Sequence, residues 1–325
     1  MKKVLVIGSG GISHSHGAAL ELTGKAKVVG LVDLDKQRAE AFAAKWAPKA
    51  QIFVDAAEAV SKVKPDCIAL FTPAHARLEY IELAVSEGLP VLMEKPPCHT
   101  VEAGEAILKL LDGSGLIHSV GFMSRYNQAL NAAMKAVAED KLTLVQILYE
   151  SPMADVQMAA GYPNPYSLAK SGGLVGDQGV HYLDAARYIT GSEAVQIAAL
   201  GRRQRLPLTE AIDTVDKVGW TLAMENGALV SHGHTWCASQ WKCRISIITD
   251  RSSVDVDMFA NLAQGLVAGQ PWSYQGTPNS QCFEVEWLAF FEAMETGSMA
   301  PIRSPYADAL ASYRLAMAVN EKVYG

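Results

Sequence analysis

Along the first third of the chain, short apolar runs alternate with amphipathic stretches, and the alternation predicts strands and helices in turn. Residues 4–7, 28–32, 67–71 and 91–93 read as strands. The run 67–71 is continuously apolar, as a strand buried on both faces requires. Helical stretches follow the turn at Ser13, Asp35, Asp55, Ala74 and Thr100. Asp55 with Glu58 three residues on reads as a capping box, and Gly88 sits where a helix ends. Repeated βα units predict a doubly wound parallel sheet of the Rossmann kind over residues 1–122.

After Asn127 the rhythm changes. A helix is expected over 128–137, a strand over 142–149, a loop rich in proline and tyrosine over 151–166, and a helix over about 179–191. Strand-like stretches then follow one another at 195–200, 215–224, 228–235, 244–248 and 253–259, with Glu225-Asn226-Gly227 as a hairpin signal. Successive strands without intervening helices predict a largely antiparallel open sheet. The expected fold is therefore α/β followed by an α+β domain over 123–325. Helices at 283–295 and 306–323 close the chain, the last placed to pack back on the first domain.

A length of 325 residues agrees with about two domains. A formal net charge of -6 and the lack of a long basic run argue against a nucleic-acid partner. The first apolar stretch breaks at Gly8, too early for a signal peptide, and no run reaches the length of a membrane span. Five cysteines without paired spacing suit a reducing compartment, so a cytoplasmic protein is expected. The open sheet would expose a broad face in a monomer, which predicts a homodimer or homotetramer.

The first strand runs into Gly8-Ser9-Gly10-Gly11-Ile12-Ser13. Gly8 permits a tight turn, and Gly10 lets the backbone approach a pyrophosphate lying over the positive end of the next helix. The second strand ends in Asp33, where a carboxylate accepts hydrogen bonds from an adenosine ribose. Together these predict a bound dinucleotide; the bland alternative is a glycine turn with no ligand. Ser13 takes the third fingerprint position, which would set the helix slightly farther from the sheet. A carboxylate at position 33 repels a 2′-phosphate and favours NAD, while Lys36 and Arg38 nearby keep NADP open.

Two further segments carry chemistry. Glu94-Lys95-Pro96-Pro97 follows a predicted strand, at the edge where such sheets bind ligands. Lys95 there reads equally as a group sharing in proton movement or as a surface lysine before a proline turn. Within Gly172-Gly173-Leu174-Val175-Gly176-Asp177-Gln178-Gly179-Val180-His181-Tyr182-Leu183-Asp184, Asp177 and His181 share a helix face. A carboxylate beside an imidazole suits a general base near neutral pH, although a histidine in an apolar helix is commonly structural. The glycines ahead of them would let the backbone approach a substrate.

The glycine turn, Asp33, Thr72-Pro73, Glu94-Lys95-Pro96 and the GGxxxDxGxHxxD segment, in this order, resemble the Gfo/Idh/MocA family of glucose–fructose oxidoreductase and inositol dehydrogenase. The resemblance implies that Gly8, Gly10, Gly11 and Ile12 hold the pyrophosphate and Asp33 the ribose. It implies that Thr72, Pro73 and His75 lie along the cofactor. Glu94 and Lys95 would lie near the nicotinamide ribose, with Lys95 also facing the substrate. Asp177 would orient the substrate and His181 would be the catalytic acid/base. The family often has a cis bond before the proline matching Pro96, and an asparagine matching Asn127 near the substrate. Arg77 departs from the family, standing where many relatives have a second histidine. The segment 160–170, with Tyr162, Asn164, Tyr166 and Lys170, matches no family pattern and is expected to set selectivity, with Tyr166 as a substrate contact.

His232-x-His234 with Cys237 looks like a metal site, but Cys237 would face the other side of a strand and no further ligand is near; no metal is expected. Exposure of the two histidines at the sheet face is the expectation, with Cys237 and Cys243 as buried thiols. Trp220, Trp236, Trp241 and Trp272 are expected to fill core or subunit contacts. The implied activity is NAD(P)-dependent hydride exchange with a hydroxyl carbon of a polyol, sugar or sugar derivative. One rival keeps the cofactor and uses transient oxidation for lyase, epimerase or glycosidase chemistry. Another is a dinucleotide-sensing regulator without catalysis, against which Lys95, Asp177 and His181 together argue.

Overall fold

The computed structural model describes residues 1–160, 167–209, 212–277 and 281–325, with the side chains of residues 157 and 160 left aside. The chain divides into two units, Met1–Tyr126 with Ser280–Leu310, and Asn127–Asn279 with Ala311–Gly325.

The first unit alternates β1 (Lys2–Ile7), α1 (Gly11–Thr23), β2 (Ala26–Val32), α2 (Lys36–Trp46), β3 (Gln51–Phe53), α3 (Ala56–Val63), β4 (Cys67–Leu70), α4 (Arg77–Ser86), β5 (Val91–Glu94), α5 (Val101–Ser114) and β6 (His118–Gly121). All strands are parallel in the order β3-β2-β1-β4-β5-β6, the doubly wound Rossmann arrangement. The order reverses between β1 and β4, so a crevice opens at their carboxyl ends. The helix starts follow from local chemistry: Asp35, Asp55 and Thr100 each cap a helix with a side-chain oxygen. Gly88, at φ +65°, follows the end of α4.

The second unit contains α6 (Gln128–Ala136), β7 (Leu142–Glu150), α7 (Met153–Ala160), α8 (Leu168–Ser171), a π turn (Val175–Gly179) and α9 (Val180–Thr190). Seven strands then follow: β8 (Ala194–Arg202), β9 (Lys217–Met224), β10 (Leu229–Thr235), β11 (Lys242–Thr249), β12 (Ser253–Asp257), β13 (Leu262–Val267) and β14 (Gln270–Gln275). They join β7 in one sheet of order β14-β13-β12-β11-β7-β10-β9-β8, in which only β7 and β10 run parallel. The hairpin between β9 and β10 turns at Gly227, φ +88°.

Three expectations need correction. The stretch expected as a loop from 151 contains α7, built from good helix formers behind Pro152, whose carbonyl accepts the amides of Asp155 and Val156. The last two strands went unread because β14 is an exposed edge carrying Pro271, which a strand pattern normally excludes. A single boundary after residue 122 also misses the chain's return: α10 (Cys282–Thr296) adds Trp287, Phe290 and Phe291 to the core of the first unit. The final helix, α11 (Tyr306–Tyr324), divides between the units after Leu310.

Candidate functional site

The carboxyl edge of the parallel sheet gathers most of the residues singled out from sequence. Gly8 has φ +95°, and a Cβ there would lie 2.8 Å from the carbonyl carbon of Phe71, so only glycine fits. Around Gly10 and Gly11 a Cβ would meet nothing within 4 Å, leaving the turn open to a ligand. No side chain caps α1 and no acidic residue sits in its first turn, so its leading N–H groups are available to an anion. Ser13 is fully buried and its hydroxyl donates to the Gly10 carbonyl at 2.6 Å, which braces the turn. Ile12 is exposed beside it.

Asp33 accepts the Ser9 amide on Oδ2 at 2.6 Å and the Asp35 amide on Oδ1 at 2.8 Å. Each oxygen keeps a lone pair for a ribose hydroxyl. The nearby cations already face carboxylates, Lys36 with Glu40 at 3.5 Å and Arg38 with Asp35 at 3.2 Å. Ser9 and Thr72 each hold a buried hydroxyl with no hydrogen-bond partner among the described residues. An uncapped helix start, an open glycine turn, a fixed carboxylate and two unanswered hydroxyls at one edge fit a dinucleotide.

Arg77 reaches this edge from α4. It is 2% exposed and donates to the carbonyls of Thr72 (3.3 and 3.1 Å), Lys95 (3.3 Å) and Pro96. Burial lowers its pKa to about 10, against the opposing pull of Glu94. The departure from the family pattern is thus a clamp joining the Thr72-Pro73 segment to the Lys95-Pro96 bond, which is cis. Pro73 and His75 lie at the surface and Lys95 is half-buried.

Glu94 is buried and accepts hydrogen bonds from the Lys95 amide at 3.0 Å and from Nε2 of His16 at 2.9 Å. His16 is fully buried, stacked on Phe71 with ring centres 4.2 Å apart, and bonded to the indole of Trp287. Neither His16 nor Trp287 was singled out from sequence. The only available signal was a polar residue on the buried face of α1.

In the second unit the glycine-rich segment forms the π turn and the start of α9. Its glycines serve the protein's own packing: a Cβ on Gly173 would lie 2.4 Å from the Thr214 hydroxyl, and one on Gly176 would lie 2.5 Å from the Ser171 carbonyl. Asp177 falls in the π turn and His181 in the first turn of α9, both half-buried. Asp184, one turn on, is fully buried and accepts the Ser312 hydroxyl at 2.8 Å, an anchoring contact within the unit.

Other residues fall elsewhere. Asn127 is fully buried, capping α6 through the Leu130 amide at 2.9 Å and donating to the Met258 carbonyl at 3.2 Å, a structural position. Tyr162, Asn164 and Tyr166 lie outside the described residues. His232 and His234, expected at an exposed face, are 4% and 3% exposed, because β10 turns them toward α9 and the π turn. Trp220 and Trp236 are buried, whereas Trp241 is 46% exposed. Cys243 is buried and Cys237 half-buried. Among the described residues, no group of three or more His, Cys, Asp or Glu is arranged to hold a metal ion, and no helix is long and apolar enough to cross a membrane.

A doubly wound sheet with an open glycine turn and an acid after β2 defines a dinucleotide-binding protein. Residues 2–122 match the profile of the oxidoreductase family with NAD-binding Rossmann fold, and residues 130–255 match that of the GFO/IDH/MocA C-terminal domain. The chain belongs to the Gfo/Idh/MocA family, and its cofactor is NAD. It is 28% identical over 204 residues to an inositol 2-dehydrogenase of Paracoccus denitrificans, covering 62% of this chain and 58% of that protein. It is 27% identical over 230 residues to a scyllo-inositol 2-dehydrogenase (NAD(+)) of Bacillus subtilis, covering 69% and 64%. These matches span less than two thirds of the relatives' own lengths. A levoglucosan dehydrogenase solved in complex with NADH shares the fold, with TM-score 0.87 and 18% identity over 99% of this chain and 96% of that one.

Proposed function

We propose that the protein is an NAD-dependent dehydrogenase that oxidises a secondary hydroxyl of a polyol, sugar or sugar derivative. The observation that carries this reading is a cofactor edge whose glycine turn, Asp33, Ser9 and Thr72 fit a dinucleotide, in a chain that also carries Lys95, Asp177 and His181. Named relatives that act on inositols support the substrate class. When bound, the nicotinamide supplies the acceptor for the carbinol hydrogen and its electron pair. The chain's own residues manage the proton and the pose. His181 takes the hydroxyl proton, Asp177 holds the imidazole and substrate in orientation, and Lys95 donates a hydrogen bond to the same oxygen as negative charge develops on it. Asp33 disfavours a 2′-phosphate, and the ion pairs of Lys36 and Arg38 support NAD over NADP.

We place the protein in a reducing compartment, the cytoplasm, a reading supported by five cysteines scattered along the sequence without paired spacing. We also propose a homodimer or homotetramer built on the outer face of the antiparallel sheet. The register aligns Leu148, Gly233, Gly219 and Leu200 across four neighbouring strands, with both leucines exposed. Light scattering on wild type and Leu200→Lys tests it; a monomeric wild type rejects it.

The test of activity is NADH formation over a panel of polyols, aldoses and sugar acids, with NAD and NADP, beside His181→Ala and Lys95→Met. The expected result is turnover with NAD that falls by roughly 100-fold or more in each variant while NAD affinity holds. Turnover unaffected by His181→Ala would reject the assigned role. Silence across the panel in a protein that binds NAD would favour a reaction without net change in NAD.

A further inference from the structure

Gln178 lies between Asp177 and His181 in the chain, and its side chain enters a buried array of aromatic and imidazole groups from the sheet. The indole of Trp236, which can only donate, bonds to Oε1 of Gln178. That contact identifies the atom as the amide oxygen. His234 Nε2, 3.0 Å from the same oxygen, must then carry its hydrogen. Nδ1 of His234 is consequently a lone pair, and it accepts from Nε2–H of His232 at 3.3 Å. The other end of the amide donates to the Tyr149 hydroxyl at 2.9 Å. The tautomer of His234 and the orientation of the Gln178 amide follow from the indole.

The array is enclosed. Trp220 stacks on His232 with ring centres 4.0 Å apart, and Tyr182 stacks on it at 5.0 Å. The Nδ1 of His232 has no partner of good hydrogen-bond geometry among the described residues, and the Ile147 carbonyl close to the ring opposes the effect of burial. The titratable groups around it are Tyr149 from β7, Cys243 from β11, and Asp177, His181 and Tyr182 from the π turn and α9. Burial raises the pKa of Tyr149 and Tyr182 and that of Cys243 to about 12. Burial, and then the charge of His181, lowers His234 to about 3; burial and His234 hold His232 well below its usual value. π turns within helices concentrate at functional sites because they redirect side chains at a cost in packing.

We propose that Gln178, His234, His232, Trp236 and Tyr149 form a neutral positioning array that fixes the π turn and thereby the directions in which Asp177 and His181 project. With both strand histidines neutral, the array sets no positive charge beside His181. The inference rests on the reading of His181 as the acid/base, and its residues act through that side chain rather than on the substrate.

The deciding experiment combines nitrogen NMR of the imidazoles in histidine-labelled protein with kinetics of three variants. In the wild type, His232 and His234 are expected as neutral Nε2–H tautomers at and well below the ordinary titration point of 6.5. Gln178→Met removes both the acceptor and the donor. It should shift the His181 titration and lower kcat by about 100-fold, with NAD affinity unchanged. His234→Gln retains an N–H for Gln178 and a carbonyl for His232, so its loss should be roughly tenfold smaller than that of His234→Leu. An Nδ1–H tautomer or ordinary titration of His234 in the wild type would overturn the array. So would a folded Gln178→Met with an unchanged His181 titration, or His234→Gln no better than His234→Leu. If His181→Ala leaves turnover intact, the acid/base reading fails separately, and the NMR results still decide whether the array holds His181.

Discussion

The indole N–H of Trp287 donates to Nδ1 of His16 across 3.1 Å, and this contact decides what His16 can offer Glu94. With Nδ1 accepting, Nε2 must carry the hydrogen, and it donates to Oε1 of Glu94 at 2.9 Å. The other carboxylate oxygen accepts the Lys95 amide. Both oxygens of Glu94 therefore meet donors, and an amide cannot replace them. Glu94→Gln, although isosteric, would set an N–H against one of the two donors. The expected cost is about 1–3 kcal/mol, read as a lower denaturation midpoint. A Gln variant as stable as the wild type would show that the tautomer of His16 is assigned wrongly.

Arg77 yields a second expectation, because its fork serves three carbonyls at once. An ammonium has the charge but not the planar spread of donors. Arg77→Lys should therefore lose about 3 kcal/mol of stability and weaken NAD binding, since Thr72 and Lys95 are no longer tied together. Calorimetric melting and NAD titration read the two effects. An unchanged NAD affinity would confine the clamp to stability.

The parts legible in the sequence are those where one residue meets a local requirement. A cap at Asp55 or Thr100, a turn at Gly8 and a continuous apolar run at 67–70 each declare themselves without knowledge of the fold. The parts that stayed hidden depend on pairing across the chain. His16 and Trp287 are 271 residues apart, and neither is unusual in its own neighbourhood. Alternation along β10 correctly sets His232 and His234 on one side, but it does not say which side of the sheet is covered. The glycines at 172, 173 and 176 are visible as a cluster, yet only the fold reveals that their near neighbours include Thr214 and Ser171.

Glu286 on α10 is fully buried, and neither carboxyl oxygen has a hydrogen-bond partner among the described residues. Burial, reinforced by the charge of Glu94, raises its pKa well above the ordinary 4.5. A raised folded pKa means that the folded state holds a proton the unfolded chain releases. Stability should then fall as pH rises from 4.5 toward the folded value. Glu286→Gln carries the neutral form permanently, so it should be more stable than the wild type at neutral pH, with the gap closing below 4.5. Melting curves on both proteins across that window test it, and a destabilised Gln variant at neutral pH would mean Glu286 is ionised and partnered.

The two histidines of β10 act in the opposite direction. Burial lowers the folded pKa of His234 from 6.5 to about 3 and that of His232 well below 6.5, so in acid the unfolded chain binds protons that the folded chain refuses. Their contribution is complete above 6.5 and is lost as pH falls through the window from 6.5 to about 3. Each neutral histidine costs about 1.4 kcal/mol for every pH unit below the unfolded value. Replacing His234 by Gln removes one of the two protons from this balance. Denaturant melts over that acid range should show a shallower loss of stability in His234→Gln than in the wild type, by about one proton's slope. Parallel slopes would mean that His234 is protonated in the folded protein, with a hydrogen on the Nδ1 that faces His232.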